Sequence, residues 1–316
     1  MDQLPKFGKA IQNIVGPTFA IYTPLLQQNE ITIKSVQRET FSYGSHERQK
    51  LDVYTSPAPS IVNGRRPVLM FEYGGGLIRG SRNLPMFGDH LVHANVGAFF
   101  ALKFGYTVVV ADYRLMSHGA KFPSGGKDIA LAVEWMTTNQ VGIGTEPIDL
   151  YIMGNSAGGI HLSTFLLHPE FAQTRQKVLS GDAHESRTDT LEAYFGDYEA
   201  NAPLGLLKAA RKAQTPLDIV KGGSRVLVLN AELDPDDEIL RPGIDFVKEW
   251  LLMDDIESRN ALAVDSMTGH NHVSPFAALS TGIDQEEAWG CQVAAFCDNI
   301  RKFRPRSSAN GIQQSL

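Results

Sequence analysis

The sequence predicts an α/β protein built on a mostly parallel, doubly wound β-sheet. Two observations predict this fold class. First, the chain contains four short, continuous apolar runs, of the kind that form strands buried on both faces. Second, the segments between these runs include stretches with helical spacing of apolar residues, at 128–138 and 284–303. Buried strands that alternate with helices are typical of a parallel sheet covered by helices on both faces. The four runs are Val68–Phe71, Val108–Ala111, Leu150–Met153 and Val226–Leu229.

The N-terminal part of the chain is predicted to differ from this pattern. Residues 1–29 are expected to be helical, because apolar residues recur at helical spacing from Phe7 to Val15. We expect this segment to pack on the core or on another subunit of a homodimer. A lid over the active site is the second interpretation, and its apolar surface would be formed by Phe19, Ile21, Tyr22 and Leu25.

Two antiparallel strands are predicted to follow and to open the main domain, which we expect to span residues 30–303. Alternating apolar and polar residues indicate strands at Ile31–Val36 and Lys50–Tyr54, joined by a turn at Tyr43–His46. A weaker strand is predicted at Lys177–Ser180. Residues 184–222 lack strand signals and are expected to form a helical cap inserted above the sheet, and residues 304–316 are expected to be a disordered tail.

The composition indicates which binding partners and which cellular compartment to expect for this protein. The 316 residues carry a net charge of −6 and no long basic run, which argues against nucleic acid and anionic membrane surfaces as partners. No apolar run approaches the roughly 18 residues that a membrane span needs. The chain has two cysteines, six residues apart on one predicted helix, and no Asn-x-Ser/Thr acceptor for glycosylation. We therefore expect a cytoplasmic protein without a membrane span.

One strand-to-helix junction carries a candidate nucleophile. The pattern Gly-x-Ser-x-Gly at residues 154–158 follows the run Leu150–Met153 and precedes an apolar segment, 160–167, that is predicted to be a helix. A glycine-rich turn with a surface serine would explain the pentapeptide alone. The flanking strand and helix instead favour a nucleophile elbow, in which a strained turn lifts the serine hydroxyl above the sheet. We therefore expect Ser156 to be the nucleophile and the amide of Ala157 to face a developing oxyanion.

A glycine cluster follows another of the predicted strands. Gly74, Gly75 and Gly76 come directly after Val68–Phe71 and Glu72-Tyr73. Ligands of open parallel sheets bind at the carboxyl ends of the strands, so this loop and Ser156 can share one site. Glycines allow backbone N–H groups to approach an oxyanion, and we expect Gly75 and Gly76 to supply donors. A phosphate-binding loop is disfavoured because the Lys-Ser/Thr of a P-loop is missing.

An acid and a histidine come later in the chain, in the order Ser, acid, His that α/β-hydrolases use. Asp234 follows the strand run Val226–Leu229, and Glu232 and Asp237 are alternatives for the acid. Two histidines, His270 and His272, follow a strand-like segment at Ala261–Val264. We favour His272 as the base because it directly precedes an apolar residue and a new segment. A metal site at this His-x-His pair is disfavoured, since no further ligand cluster at zinc spacing accompanies it.

These motifs resemble those of the hormone-sensitive-lipase-like esterases. Residues 154–159 are similar to the Gly-Asp-Ser-Ala-Gly-Gly motif of that family, and residues 73–76 are similar to its His-Gly-Gly-Gly oxyanion motif. The segments 112–115 and 122–123 also match, whereas the opening from Tyr43 to Tyr54 is more similar to the kynurenine formamidase and feruloyl esterase branch. The resemblance covers about residues 40–303 and implies an α/β-hydrolase fold with a serine triad.

The chain departs from that family at positions that bear on the substrate. Tyr73 stands where the family has a histidine, Asn155 stands where it has an acidic residue, and the 184–222 insertion matches no known pattern. We expect Tyr73, Asn155 and the histidine that is not the base, His270, to contact the substrate.

The sequence thus predicts a serine hydrolase that cleaves a carboxylic ester of a small to medium hydrophobic molecule through an acyl-enzyme. No metal or organic cofactor is expected. A lactone or an aryl formamide is the alternative substrate. The same fold also supports decarboxylation, C–C bond cleavage, acyl transfer and non-catalytic ligand binding, so the fold alone does not decide the chemistry.

Overall fold

A computed structural model describes residues 1–177, 193–213, 217–221 and 223–303 of the chain. Seven strands form two sheets. The strands are β1 (Gln37–Ser42), β2 (Lys50–Thr55), β3 (Arg66–Glu72), β4 (Thr107–Ala111), β5 (Ile148–Gly154), β6 (Val226–Ala231) and β7 (Leu262–Met267). In the first sheet the strand order is β1-β2-β4-β3-β5, and in the second β6 pairs with β7.

The pairing directions follow the predicted division of the chain. β1, β2 and β4 pair antiparallel, whereas β4, β3 and β5 are parallel, as are β6 and β7. All four apolar runs lie in strands, and β3, β4 and β5 are buried along most of their length. Of the strand-like segment at 261–264, Leu262 to Val264 lie in β7, and Ala261 precedes it. The predicted mixed α/β architecture is therefore confirmed, although β6 and β7 form a sheet of their own.

The first antiparallel strand was placed wrongly by the sequence pattern. Glu30–Lys34 is a short helix, and the strand that pairs with β2 is Gln37–Ser42. Ile31 is 89% exposed while Ile33 is 1% exposed. Residues two apart lie on the same face of a strand but on nearly opposite faces of a helix, which is the arrangement found here. β1 itself is an edge strand with mostly exposed side chains, so it carries no alternating pattern.

Helices cover the first sheet and join its strands. The helices are α1 (Ile11–Gln28), α2 (Glu30–Lys34), α3 (Ala94–Phe104), α4 (Ser124–Thr138), α5 (Gln140–Ile143), α6 (Ala157–Leu167), α7 (Ala172–Lys177), α8 (Tyr198–Asn201), α9 (Pro203–Lys212), α10 (Asp218–Lys221), α11 (Arg241–Leu251), α12 (Ile256–Asn260), α13 (Ser274–Ala278) and α14 (Asp284–Phe303). α6 follows β5 closely, and the predicted helices at 128–138 and 284–303 lie in α4 and α14.

The N-terminal helix α1 packs into the core. Phe19, Tyr22 and Leu26 are buried in the same hydrophobic cluster as residues of β3 and β4. The ring of Phe19 stacks on that of Phe87, with centroids 3.9 Å apart. Of the side chains considered for a lid, Phe19 and Tyr22 are thus in core contacts, while Ile21 and Leu25 are partly buried against the same cluster.

The predicted cap and tail are described only in part. Within 184–222 the structure gives α8, α9 and α10, while residues 184–192, 214–216 and 222 lie outside the described residues. Of the weak strand predicted at Lys177–Ser180, only Lys177 is described, and it ends α7. The tail from residue 304 is also outside the described part. Among the described helices, none has the length and apolar character that a bilayer crossing requires.

Candidate active site

Ser156 occupies a strained turn between β5 and α6. Its backbone has φ 54° and ψ −121°, a conformation that side-chain-bearing residues adopt only at a cost of about 1–3 kcal/mol. Two hydrogen bonds hold the turn: Asn155 N–H donates to the Glu72 carbonyl of β3 at 2.9 Å, and Gly158 N–H donates to the Asn155 carbonyl at 2.9 Å. The local geometry is therefore that of a nucleophile elbow.

The glycine loop after β3 lies directly against this turn. A Cβ added at Gly74 would come within 2.9 Å of the Ser156 Cβ. Gly75 and Gly76 have φ 141° and 63°, in the region that favours glycine. In the described part of the chain the N–H groups of these two glycines donate to no acceptor, and Ala157, as the first residue of α6, has no intrahelical acceptor. Among the described residues these three backbone donors therefore have no hydrogen-bond acceptor.

Asp234 and His272 form a buried pair. The Nδ1 atom of His272 lies 2.8 Å from Oδ1 of Asp234, and Oδ2 of the same carboxylate accepts from Ala231 N–H at 2.8 Å. Donation from Nδ1 to the carboxylate fixes the tautomer in which Nε2 can accept a proton. Nε2 of His272 is buried and has no hydrogen-bond partner in the part of the chain that the structure describes.

The alternative acids and the alternative histidine have other partners. Glu232 accepts from Gly269 N–H at 2.7 Å, and Asp237 lies on the surface beside Arg241. His270 is buried with Nδ1 2.8 Å from the Ser274 hydroxyl, and burial lowers its pKa to about 4. The geometry therefore pairs His272 with Asp234.

One cavity brings the candidate residues together. Ser156, Asp234 and His272 all line a cavity of about 100 Å³ between β5 and the β6–β7 sheet. No hydrogen bond joins the Ser156 hydroxyl to His272 among the described residues. Catalytic hydrogen bonds in ligand-free enzymes are often long and tighten when substrate binds.

One of the three side chains predicted to contact the substrate lines this cavity. Asn155 lines the cavity, but Tyr73 and His270 do not. Tyr73 is completely buried, where its hydroxyl donates to Asp112 at 2.6 Å and accepts from Arg48 at 2.9 Å. The side chain that replaces the family's histidine is therefore tied into a buried polar network rather than turned toward the cavity.

Sequence reasoning missed two groups of residues at this site. The Tyr113 hydroxyl donates to the Tyr73 carbonyl at 3.0 Å and lies 3.4 Å from the Gly74 carbonyl. These contacts stabilise the backbone at the start of the glycine loop. The apolar face of α14, with Trp289 and Val293, lines the cavity. Its helical spacing was visible in the sequence, but spacing does not distinguish a face that lines a cavity from one that fills a core.

Within residues 1–177, 193–213, 217–221 and 223–303, no group of three or more His, Cys, Asp or Glu side chains is arranged to hold a metal ion.

Part of the chain matches a known family and several curated proteins. The sequence profile of the BD-FAE family matches residues 51–192. A probable isoprenylcysteine α-carbonyl methylesterase of Arabidopsis thaliana is 27% identical over 165 residues, which are 50% of this chain and 33% of that protein. The liver carboxylesterase of Sus scrofa is 29% identical over 163 residues, which are 48% of this chain and 27% of that protein. The chain thus spans about a third or less of the length of these relatives.

Solved structures resemble the whole fold at low sequence identity. Esterase 2 of Thermogutta terrifontis superposes with a TM-score of 0.59 at 16% identity, over 86% of this chain and 97% of that one. Esterase B of Lactobacillus rhamnosis gives a TM-score of 0.57 at 14% identity, over 91% and 96% of the two chains. The chain therefore has the same fold as these esterases, the α/β-hydrolase fold.

Proposed function

We propose that the protein is a serine hydrolase that cleaves carboxylic esters of small to medium hydrophobic molecules. One observation carries the proposal: a serine in a strained elbow conformation and a buried Asp–His pair line the same cavity. The relatives are named as esterases, and one structure of the Thermogutta esterase is described as phosphonylated by sarin, which supports the same chemistry here.

The proposed reaction begins with proton transfer from Ser156 to His272. Nε2 of His272 accepts the hydroxyl proton as Oγ of Ser156 attacks the ester carbonyl carbon. The tetrahedral oxyanion accepts hydrogen bonds from the N–H groups of Gly75, Gly76 and Ala157, each typically worth about 3–4 kcal/mol of transition-state stabilisation. Asp234 holds the imidazole in the correct tautomer and stabilises the imidazolium that forms.

Collapse of the tetrahedral intermediate forms the acyl-enzyme, and hydrolysis of the acyl-enzyme completes the cycle. The C–O bond to the alcohol breaks, and the imidazolium of His272 returns its proton to the leaving oxygen. Water, deprotonated by the same imidazole, then attacks the acyl-enzyme and releases the acid together with Ser156. The proposed partner is accordingly a small-molecule ester, and every step uses side chains and amides of this chain.

The first test is covalent labelling with a fluorophosphonate, followed by the intact mass of the protein. We expect one adduct on the wild type and on Ser117→Ala, which changes an exposed serine, and none on Ser156→Ala. A well-folded wild type without an adduct would overturn the proposal. Product analysis with panels of esters, lactones and aryl formamides then identifies the bond that is cleaved.

A further inference from the structure

We propose that Glu72 is a positioning residue of the candidate active site, and that it holds the start of the glycine loop in place as a neutral carboxylic acid. This inference rests on the proposed hydrolase function and adds a residue to it. Glu72 is the last residue of β3, and the glycine loop at 74–76 begins two residues later. Its backbone carbonyl accepts a hydrogen bond from the Asn155 N–H of the elbow at 2.9 Å. The elbow and the glycine loop therefore meet at Glu72.

The side chain of Glu72 is buried on the face of the sheet that α4 and α6 cover. Val68 and Met70 share this face of β3, because side chains alternate along a strand, and both are buried in one cluster with residues of α4 and α6. Glu72 itself is 1% exposed. The two helices pack closely here, since a Cβ added at Gly125 of α4 would lie 1.9 Å from Nδ1 of His161 in α6. The carboxyl group is thus enclosed by protein.

No positive charge is left over to balance this carboxyl group. Among the described residues, Glu72 forms no ion pair and its Oε2 has no hydrogen-bond partner. Burial raises the pKa of Glu72 well above its usual range, and the nearby carboxylates of Asp128 and Asp112 raise it further. The ion pairs of the surrounding network join three carboxylates to three arginines, namely Asp52, Asp112 and Asp128 to Arg48, Arg82 and Arg114. An ionised Glu72 would add an unbalanced negative charge, whereas a protonated Glu72 leaves the network neutral.

The other titratable side chains in this region are neutral at pH 7. Burial raises the pKa of Tyr43, Tyr113 and Tyr194 above the usual range, and the charge of Glu72, if present, would raise the pKa of the first two further. The ring of His161 packs edge-on against that of Tyr113, with centroids 4.4 Å apart. Burial lowers the pKa of His161 to about 3. None of these side chains carries a charge that would stabilise an ionised Glu72.

A neutral acid at this position supports the oxyanion better than a carboxylate. The neutral side chain can stay buried, which keeps the end of β3 and the glycine loop in place beside Ser156. A carboxylate would favour exposure to water and would draw the end of β3 with it. A negative charge on the order of 10 Å from the oxyanion, at an effective dielectric of about 20, would also slow the reaction by a factor on the order of ten.

Infrared difference spectroscopy between the wild type and Glu72→Gln at pH 7 tests the protonation state. A protonated carboxylic acid has a carbonyl stretch that a carboxylate lacks, so we expect this band in the wild type and its loss in the variant. Glu39→Gln is the matched control, because Glu39 is exposed on β1 and should contribute carboxylate bands only. Carboxylate bands alone in the Glu72→Gln difference would overturn the inference.

Urea unfolding gives a second test that needs no catalysis. In the unfolded chain a glutamate has a pKa of about 4.3. Because folding raises the pKa of Glu72, its contribution to stability is complete below that pH and is lost as the pH rises toward the folded value. The unfolding equilibrium constant of the wild type, divided by that of Glu72→Gln, should therefore rise by up to about tenfold per pH unit between pH 6 and 8. The contributions of the histidines cancel in this ratio. A constant ratio would contradict a neutral Glu72.

Ester kinetics test the positioning role. Glu72→Ala removes the side chain that anchors the end of β3, and it is expected to lower kcat for a p-nitrophenyl ester by about tenfold or more, with a smaller change in KM. Glu72→Gln keeps the shape of a neutral acid and is expected to restore most of kcat. A kcat of Glu72→Ala equal to that of the wild type, or a glutamine variant as impaired as the alanine variant, would overturn the positioning role. The infrared and urea measurements use only Glu72→Gln and decide the inference if Glu72→Ala does not fold.

Failure of this inference and failure of the hydrolase proposal give different results. Ester turnover by a wild type that lacks the infrared band would overturn the inference and leave the hydrolase proposal standing. If the wild type neither hydrolyses esters nor reacts with a fluorophosphonate, the hydrolase proposal fails and the positioning role fails with it. The infrared band then still decides whether Glu72 is a neutral acid.

Discussion

Gly158 lies so close to the backbone carbonyl of Glu72 that a Cβ at this position would sit 2.1 Å from the carbonyl oxygen. This contact joins the first turn of α6 to the end of β3. The glycine loop that follows β3 is therefore held beside Ser156 by a backbone approach that only glycine permits.

Gly158→Ala is expected to force the elbow and the glycine loop apart. Because the obstructing atom is backbone, overpacking should lower the free energy of unfolding by about 1–3 kcal/mol, and kcat should fall more than KM changes. Urea denaturation and ester kinetics measure the two effects. Gly16→Ala is the control, because Gly16 lies in α1 with no atom within 4 Å of an added Cβ. Equal stability and activity of the two variants would contradict the role given to the contact.

Asp234→Asn should lower kcat by about 10⁴-fold with little change in KM, because an amide can hold the histidine in the wrong tautomer. Glu232→Gln is the matched control: Glu232 follows the same strand but bonds to Gly269 instead of His272. Steady-state kinetics with a p-nitrophenyl ester measure both variants. A larger loss in Glu232→Gln than in Asp234→Asn would transfer the role of the acid to Glu232.

Tyr113→Phe removes the hydroxyl that donates to the Tyr73 carbonyl, which should loosen the glycine loop while keeping the aromatic packing. We expect kcat to fall on the order of tenfold and the free energy of unfolding to fall by about 1 kcal/mol. Comparison of fluorophosphonate labelling rates with urea midpoints separates the two effects. Unchanged labelling in a destabilised variant would show that Tyr113 supports the fold alone.

Stability is expected to fall as the pH is lowered from about 6.5 to 4. Burial lowers the pKa of His93 and His270 to about 4 and that of His161 to about 3, so these side chains are neutral in the folded state. In the unfolded chain these histidines have a pKa of about 6.5 and take up protons as the pH falls through that value. The free energy of unfolding is therefore highest above pH 6.5 and falls as the pH is lowered toward the pKa values of the folded state.

His161→Leu isolates one of these contributions. Both ring nitrogens of His161 are buried without a hydrogen-bond partner in the described part of the chain. The variant should reduce the slope of unfolding free energy against pH by up to about 1.4 kcal/mol per pH unit. Urea midpoints between pH 4.5 and 7 measure it, with His118→Gln, at an exposed site, as control. An unchanged slope in His161→Leu would show that His161 does not contribute.

Much of the fold could be predicted because strands, helices and the elbow depend on sequence patterns that span only a few neighbouring residues. A buried strand needs a short apolar run, and an elbow needs glycines at fixed spacing around a serine, so Val68–Phe71 and residues 154–158 identified their elements. The short segment at Ile31 was misassigned because two isoleucines two residues apart fit a strand as well as a helix. Only packing, which buries Ile33 and leaves Ile31 in solvent, distinguishes the two.

The sequence by itself determined the α/β architecture, the strained turn at Ser156 and the order of serine, acid and histidine along the chain. Tertiary structure alone decided that His272 rather than His270 contacts Asp234, that Tyr73 points into a buried network, and that α14 lines a cavity. The physical reason is that secondary structure follows from spacing along the chain. A contact between side chains 38 residues apart instead depends on how the elements that carry them pack.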